Sequence, residues 1–449
     1  MAWQRLSGAD ALSLSTETPT TPAHYVVLIV IDPSDGVGHH RLHELVGSSL
    51  PRLAHFRSRL FGKPLGLGQP VWAEVGGFDP SRHMYKVAVP PPGDTREFAG
   101  IVAKLTTRPL ARHRPLWQAW SIEGLAGGRW ALALKISQAL VSGVDGLAPI
   151  LARLLTAAPG DDPATSLPAE PSLGLPPSVV ELVAGTAAEL TERPFTGARV
   201  VGEAVPGVLR SAVNRLRGNG HDSGAVPRTV FNDPLTRQRE VAFAELRRAD
   251  IDAVADTFGV GADDVFLAAC TLSLRTWLRR HARVPQQPLV MHAPFSAPPA
   301  RVRLPVQRDD PVRILSDCHT SRDRENRAEV PVLAELFSPG LLHAGTRIYT
   351  RMGLSRRFPP VVHGVAATIN GPPVPVYCVG ARVAAIHAVP PLAEAAGLSI
   401  TQVLHDRCAG VTVCACPDRV TGIEEIADGI AYGVTQLRAK RGKRHRRRR

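Results

Sequence analysis

The feature that most constrains the fold is an alternation of short apolar strand patterns with amphipathic helical patterns, which occurs twice along the chain. The first series contains the strand patterns "HYVVLIVIDP" and "QPVWAEV" and the helical pattern "HRLHELVGSSLPRL". The second series contains "REVAFAEL", "PLVMHAPFS" and the long helical pattern "ADDVFLAACTLSLRTWLRRH". Because strands interleaved with helices build helix-covered sheets, the chain is predicted to form two α/β halves.

Two breaks in composition separate the two series. One is the Pro, Gly and Asp-rich stretch from about residue 157 to 175, and the other is "GNGHDSGAVP". With 449 residues, of which 44% are hydrophobic, the chain is long enough to bury a large core in each half. We predict an N-terminal half at 1–156, a linker with helices at 157–228, a C-terminal half at 229–437 and a disordered basic tail at 438–449.

The positive charge of the chain is concentrated at its C-terminal end. The final segment, "RAKRGKRHRRRR", carries nine Lys and Arg and no acidic residue, so the remainder holds only four of the thirteen net positive charges. Such a run is usually solvated, and contact with an anionic membrane or lipid-droplet surface, or with nucleic acid, is the alternative. No nucleic-acid-binding motif accompanies it and aromatic residues make up only 5%, so no specific nucleic-acid partner is expected.

The cysteines and the N-terminus indicate the compartment. Six cysteines lie in the second half without a Cys-x-x-Cys pair, which predicts reduced thiols and no metal site of the cysteine type. The first thirty residues lack the order of a secretory signal, and the apolar runs are only strand-length. We therefore expect a cytoplasmic protein, soluble or peripheral on a membrane or lipid droplet.

The stretch "LKISQALVSGVDG", residues 134–146, reads as a buried strand that enters a tight turn. Such turns often hold catalytic residues, yet neither Gln138 nor the neighbouring serines titrate near neutral pH. Asp145 could bring a carboxylate to the turn from a shifted position, although a carboxylate there more often caps the following helix "GLAPILARLL".

Several segments, in their order and spacing, resemble the bacterial wax ester synthase/acyl-CoA:diacylglycerol acyltransferase family. They include "RPLWQAWSIEGL", "FGVGADDVFLAACTLSLRTWL", "INGPP" and "YCVGARV", and the similarity extends to about residue 438. The resemblance implies two chloramphenicol-acetyltransferase-like halves with mixed sheets, joined by a helical linker and enclosing a tunnel. It also implies acyl transfer from long-chain acyl-CoA to diacylglycerol, giving triacylglycerol, or to a fatty alcohol, giving a wax ester. Acyl-CoA would be the substrate, and no cofactor is implied.

The family's His-His-x-x-x-Asp-Gly motif falls on a degenerate set of residues in this chain. Ser137 and Gln138 replace the two histidines, Ser142 replaces the aspartate, and Gly143 alone is retained. In the family the second histidine accepts the proton of the attacking alcohol, which the amide of Gln138 cannot do. Loss of such a base removes roughly 10²–10⁴ in rate. The alternative is a non-catalytic paralogue that binds acyl-CoA or lipid.

Further candidates come from the same resemblance and from the histidines. The residues expected to line the substrate tunnel are Trp117, Asp264, Ser296 and Gly371. A base from outside the motif could be one of the histidines near family-like segments, although an ordinary hydrogen-bonded or surface histidine is the alternative at each: His24, His83, His113 and His292. The cluster "GHHRLH", with His39, His40 and His43, could bind a metal, but solvated histidines at a helix start are the simpler interpretation, so no metal is predicted.

Overall fold

The computed structural model describes residues 4–62, 70–141, 146–161, 167–174, 176–178, 180–182, 226–294, 300–324 and 360–446. The α-helices are α1 (Gly8–Ser15), α2 (His39–Ser49), α3 (Thr95–Thr107), α4 (Ala148–Ala152), α5 (Arg248–Phe258), α6 (Ala262–His281), α7 (Pro311–Arg324) and α8 (Ile423–Arg446). The strands are β1 (Gln4–Arg5), β2 (His24–Ile31), β3 (Ser58–Phe61), β4 (Val71–Glu74), β5 (Met84–Ala88), β6 (Trp117–Leu125), β7 (Arg129–Ser137), β8 (Glu240–Arg247), β9 (Leu289–Ala293), β10 (Ala300–Leu304), β11 (Gly364–Asn370), β12 (Tyr377–Cys378), β13 (Ala381–Val389), β14 (Leu398–His405) and β15 (Cys408–Ala415).

The first large sheet is mixed and has the strand order β12-β13-β2-β7-β6-β5. Every residue of β2, "HYVVLIVI", is buried, because side chains from both faces of the strand enter a core. Strands β6 and β7 form a hairpin around "GLAGG", and β7 pairs with β2 from Trp130 to Ser137. This pairing brings the end of β7 next to the start of β2.

The second large sheet has the order β10-β9-β11-β14-β15-β8, and β11 runs parallel to both β9 and β14. Helices α5, α6, α7 and α8 cover one of its faces and share its apolar core. Helix α8 packs closely on α6 at two glycines. A Cβ at Gly429 would lie 2.5 Å from the Ser273 hydroxyl, and one at Gly433 would lie 3.0 Å from the Cα of Ala269. The small residues therefore set the short distance between these helices.

The two sheets are joined by a strand that crosses the predicted division of the chain. Strand β13 belongs to the second half by sequence but pairs antiparallel with β2 of the first sheet. Its other contacts are with β14 and β15, where a Cβ at Gly410 would lie only 2.4 Å from the Ile386 carbonyl oxygen. The segment "VPVYCVGARVAAIHAVPP" forms the short hairpin of β12 and β13. The domain boundaries themselves stay a prediction.

Periodicity identified most elements, and the α/β class with mixed sheets is confirmed. Strand β10 and helix α7 were not predicted. The expected linker helices between residues 183 and 225 lie outside the described residues. No single described helix is long and apolar enough to cross a membrane; α5 and α6 together meet the length and composition criteria, but they are bent by 102°.

The prediction of a disordered tail is wrong for residues 438–446, where the backbone continues α8. Leu437 is buried against the second core, and the Arg438 guanidinium donates to the Asp250 carboxylate at 2.7 Å, so the helix is held at this point. Cationic side chains also interact favourably with the C-terminal end of a helix. Residues 447–449 lie outside the described residues.

Candidate active site

The motif turn follows directly from the end of β7. Ser137 is the last residue of the strand, and a single 3-10 turn, Gln138–Leu140, follows it. The Gln138 amide donates to the Ala23 carbonyl at 3.1 Å, and the Val141 amide donates back to the Gln138 carbonyl at 3.0 Å. The segment before β2 therefore fixes the backbone of Gln138 at the place where the family resemblance puts the catalytic histidine.

The side chain of Gln138 is half-buried and hydrogen-bonded to the hydroxyl of Tyr25, the second residue of β2. Burial raises the pKa of Tyr25 to about 12, and the hydrogen bond from Gln138 opposes this rise. Neither group changes its protonation state between pH 5 and 9. The pair can orient a hydroxyl or a carbonyl oxygen by hydrogen bonding, but it cannot accept a proton from it.

The other face of the same strand pair carries two titratable groups. His24 lies opposite Ser137 in the β2–β7 ladder, is buried, and hydrogen-bonds the backbone carbonyls of Leu105 and Thr106 in α3. Burial, with the Lys135 cation nearby, holds the pKa of His24 well below its usual value, so the imidazole is neutral. Within the described part of the chain its Nδ1 has no hydrogen-bond partner.

Lys135 is two residues before Ser137 and points to the same face as His24. Its ammonium group donates to the Arg108 carbonyl, just beyond α3. Burial lowers the pKa of Lys135 to about 8, although the Glu17 carboxylate opposes the shift. Glu17 also pairs with Arg112 at 2.9 Å, so the cluster ties the segment before β2 to the end of α3.

The remaining candidate histidines are in ordinary environments. His83 is buried, donates from Nδ1 to the Trp117 carbonyl at 2.8 Å, and stacks on the Trp117 ring at 4.8 Å. His292 is half-buried in β9 and hydrogen-bonds the Ala300 backbone, and burial lowers the pKa of each imidazole. His113 is exposed. Their contacts are those of hydrogen-bonded or surface residues, the alternative that the sequence left open.

The expected tunnel residues are spread over both halves, and their role stays a prediction. Trp117 is buried and donates from its indole to the Phe56 carbonyl at 2.7 Å. Asp264 is buried in the first turn of α6, where its carboxylate accepts from the Gly261 amide and the His319 imidazole. Gly371 follows β11 and donates to the Leu404 carbonyl at 2.8 Å. Ser142, Gly143, Asp145 and Ser296 lie outside the described residues.

Two polar residues near the motif were not predicted from the sequence as members of a site. Tyr25 and Lys135 lie next to Gln138 and His24, and the available signal was a lysine inside the apolar run "LALKIS". His39 and His43 are not solvated as expected, because both contact Ser121 of β6. His40 is exposed, as expected. Among the described residues, no group of three or more His, Cys, Asp and Glu side chains is placed to hold a metal ion.

Comparison with known proteins gives consistent matches over nearly the whole chain. A family model described as the wax ester synthase/diacylglycerol acyltransferase catalytic domain matches residues 6–266, and the C-terminal domain model of the same family matches residues 300–438. A Mycobacterium tuberculosis protein named "Putative diacyglycerol O-acyltransferase" is 31% identical, with 97% of this chain and 90% of that protein covered. A second protein of this name from the same species is 28% identical, with 93% of each chain covered.

Solved structures show the same fold. The wax ester synthase/diacylglycerol acyltransferase from Marinobacter aquaeolei is similar with a TM-score of 0.72 and 22% identity, over 98% of this chain and all of that one. The first condensation domain of the calcium-dependent antibiotic synthetase is similar with a TM-score of 0.54 and 13% identity, over 97% of this chain and 96% of that one. These similarities confirm the predicted architecture of two related halves.

Proposed function

Because the chain belongs to the wax ester synthase/diacylglycerol acyltransferase family, we propose that it is an O-acyltransferase that uses acyl-CoA. The donor would be a long-chain acyl-CoA, and the acceptor a diacylglycerol or a fatty alcohol. The observation that carries this proposal is the match of both family domains, which together include the motif strand and the second half. The backbone hydrogen bonds that fix the strand and turn around residue 138 support the proposal, because they give its side chain a defined position.

In the proposed reaction the acceptor oxygen attacks the thioester carbonyl carbon. A carbon–oxygen bond forms, the carbon–sulfur bond breaks, and the acceptor proton leaves with coenzyme A as its thiol. The amide of Gln138, held by Tyr25, would hydrogen-bond the acceptor hydroxyl or the carbonyl oxygen and so align the two substrates. The proton would pass to the departing thiolate directly or through water, because neither side chain accepts it.

The expected rate of acyl transfer is that of an enzyme whose Gln138 orients the substrates but does not act as a base. A positioned general base contributes roughly 10²–10⁴, or about 3–5 kcal/mol of transition-state stabilisation. Gln138 supplies none of this contribution. We therefore expect the protein to transfer acyl groups about 10²–10⁴ times more slowly than the same protein with histidine at position 138.

The second candidate function is a non-catalytic protein that binds acyl-CoA or lipid. The observation that favours it is the Gln138–Tyr25 pair itself, which is neutral and titrates only far from neutral pH. The buried His24 uses one ring edge on the carbonyls of α3, on the other face of the strand pair from Tyr25. In this alternative the fold would retain the binding site and deliver its ligand to another protein.

The deciding experiment measures coenzyme A release from long-chain acyl-CoA, with diacylglycerol or a fatty alcohol as acceptor. Four proteins are compared: the wild type, Gln138→His, the double variant Gln138→His/Ser142→Asp, and the matched control Gln138→Asn. We expect slow acceptor-dependent release by the wild type and the control, and much faster release by the two histidine variants.

Binding of acyl-CoA is measured on the same proteins by calorimetry. Binding by all four proteins with transfer only in the histidine variants would favour the non-catalytic function. Absence of both binding and transfer in every protein would reject the two candidate functions together. Rapid release by the wild type, unchanged in Gln138→Asn, would place the base outside the motif.

We further propose that the basic end of α8 and the residues after it contact anionic lipid. Arg438 is tethered to Asp250, and the sequence beyond it carries seven more Lys and Arg from 441 to 449. Each such charge near an anionic surface contributes about 1 kcal/mol. Deletion of residues 441–449 should abolish binding to phosphatidylserine vesicles, whereas Arg438→Gln should leave most of it. Equal binding by the deleted and full-length chains would contradict this proposal.

A further inference from the structure

A polar network joins helix α2 to the edge of the first sheet, away from the motif turn. His39 and His43 of α2 both reach the hydroxyl of Ser121 in β6, at 2.6 Å from His39 Nδ1 and 3.0 Å from His43 Nε2. The second ring nitrogen of His39 lies 3.2 Å from a carboxylate oxygen of Glu123. His43 Nε2 also lies 3.2 Å from the Tyr85 carbonyl oxygen in β5.

One arrangement of protons satisfies all of these contacts. His43 Nε2–H is shared between the Tyr85 carbonyl and the Ser121 hydroxyl oxygen, the Ser121 hydroxyl donates to His39 Nδ1, and His39 Nε2–H donates to Glu123. The lone pair of His39 Nδ1 is then directed at Ser121. The order carboxylate, imidazole and hydroxyl is that of a nucleophilic serine, but the Ser121 side chain is fully buried, so an acyl substrate could not reach it, whereas the His39 side chain is 19% exposed.

The two imidazoles nevertheless point at the same place, the Ser121 hydroxyl. His39 and His43 are four residues apart on a helix, the spacing that lets two histidines on one helix face bind a single transition-metal ion. Metal-bound histidines commonly donate their other ring N–H to a carboxylate, the position that Glu123 occupies beside His39. We propose that His39 Nδ1 and, once its proton has moved to the other ring nitrogen, His43 Nε2 form a binding site for a divalent transition-metal ion, with Glu123 as the positioning residue.

The chemistry of the donors predicts which ions bind and how tightly. Metal–imidazole bonds are about 2.0–2.1 Å long, so the two ring nitrogens would have to move towards a common point to hold an ion beside Ser121. The Ser121 hydroxyl, the Tyr85 carbonyl and water are the available oxygen ligands. Two imidazoles without a thiolate favour Cu²⁺, Ni²⁺ and Zn²⁺ over Mg²⁺ or Ca²⁺.

The test titrates the full chain with NiCl₂ and ZnCl₂ by calorimetry at pH 7.5 and compares the wild type with four variants. His39→Gln and His43→Gln remove one ligand each, Glu123→Gln removes the positioning carboxylate, and His40→Gln is the matched control on the exposed side of the same helix. We expect one site per chain in the wild type and in His40→Gln. Glu123→Gln should weaken binding by about 10–100-fold, and the two ligand variants at least as much.

Two further measurements keep the test decisive if a variant is unstable. Saturating Ni²⁺ should raise the Tm of the wild type by about 2–5 °C and leave that of His39→Gln unchanged. Electron paramagnetic resonance of substoichiometric Cu²⁺ on the unmodified protein should show two imidazole nitrogens. Equal affinities in His39→Gln and His40→Gln, or a Cu²⁺ spectrum with a single nitrogen, would mean that the cluster is a hydrogen-bond network only.

Discussion

The two faces of the β2–β7 strand pair differ in chemistry at the same end of the sheet. One face carries Tyr25 and Gln138, which stay neutral across the physiological pH range. The other carries His24 and Lys135, both buried and both with a lowered pKa. The two sets lie on adjacent residues of the same strands, yet only the first set includes the position of the family's catalytic histidine.

Under the proposed function, titratable groups close to the motif are not enough for base catalysis. A general base needs a lone pair that points at the reacting hydroxyl, and the resemblance to the family puts the amide of Gln138 in that position. The groups that could carry a proton are instead used on backbone carbonyls at the end of α3. The difference between the faces can be tested by moving a titrating group from one to the other.

The largest expected effect comes from placing an imidazole on the Tyr25 face. In the double variant Gln138→His/Ser142→Asp, the rate of coenzyme A release should rise with pH through about 6.5 and exceed the wild-type rate by about 10²–10⁴ at pH 8. The wild-type rate should be flat over the same range, because its turn contains no group that titrates there. The measurement is the pH profile of kcat/KM for both proteins.

The matched control is His24→Gln in the wild-type background, which should leave the wild-type profile flat. A wild-type profile that does rise near pH 6–7, and loses this rise in His24→Gln, would show that the imidazole on the other face serves the reaction. The distinction drawn between the two faces would then be wrong.

The second-largest expected effect is on the pH dependence of stability, and it comes from the buried Lys135. Its pKa is about 8 in the folded chain, against 10.5 for an unperturbed lysine side chain, so between these values the unfolded chain binds more protons than the folded chain. The free energy of unfolding of the wild type should therefore rise with pH across this window, by about 3 kcal/mol from this group. Lys135→Met should not show this rise, and its stability advantage over the wild type should be greatest below pH 8.

Lys104→Met is the matched control, because Lys104 is exposed on α3. Urea unfolding at pH 7, 8.5 and 10 measures the three proteins. Parallel pH dependence of Lys135→Met and the wild type would mean that the ammonium group reaches solvent.

The sequence predicted the frame of the site better than its chemistry. The run of β2 is rich in β-branched residues and the run of β7 is long and apolar, and both patterns are typical of strands, so both strands were predicted. Periodicity cannot identify the partner of a strand, which is why the pairing of β13 with β2 was missed. Residue type alone also could not place Tyr25 against Gln138 or Ser121 against His39, because both contacts join segments about 80 to 110 residues apart.

A smaller effect is expected from the hydrogen bond on the neutral face. Tyr25→Phe removes the hydroxyl that holds Gln138, at a cost of about 1–2 kcal/mol in the free energy of unfolding. Tyr432→Phe is the matched control, since Tyr432 is exposed on α8 and should change the stability little. If Gln138 orients the substrates, Tyr25→Phe should also lower kcat more than it changes KM. Unchanged kcat with reduced stability would limit the pair to a structural role.

The smallest expected effect tests the imidazole on the charged face. Burial lowers the pKa of His24, so as the pH falls below about 6.5 the unfolded chain takes up a proton that the folded chain does not, and stability decreases. One group contributes at most about 1.4 kcal/mol per pH unit, so His24→Gln should reduce the loss between pH 6.5 and 5.5 by about 1 kcal/mol. His113→Gln, at an exposed position, should leave the loss unchanged. If His24→Gln and His113→Gln lose the same stability between pH 6.5 and 5.5, the His24 imidazole takes up its proton in the folded chain as well. The charged face would then respond to acid no differently from an exposed histidine.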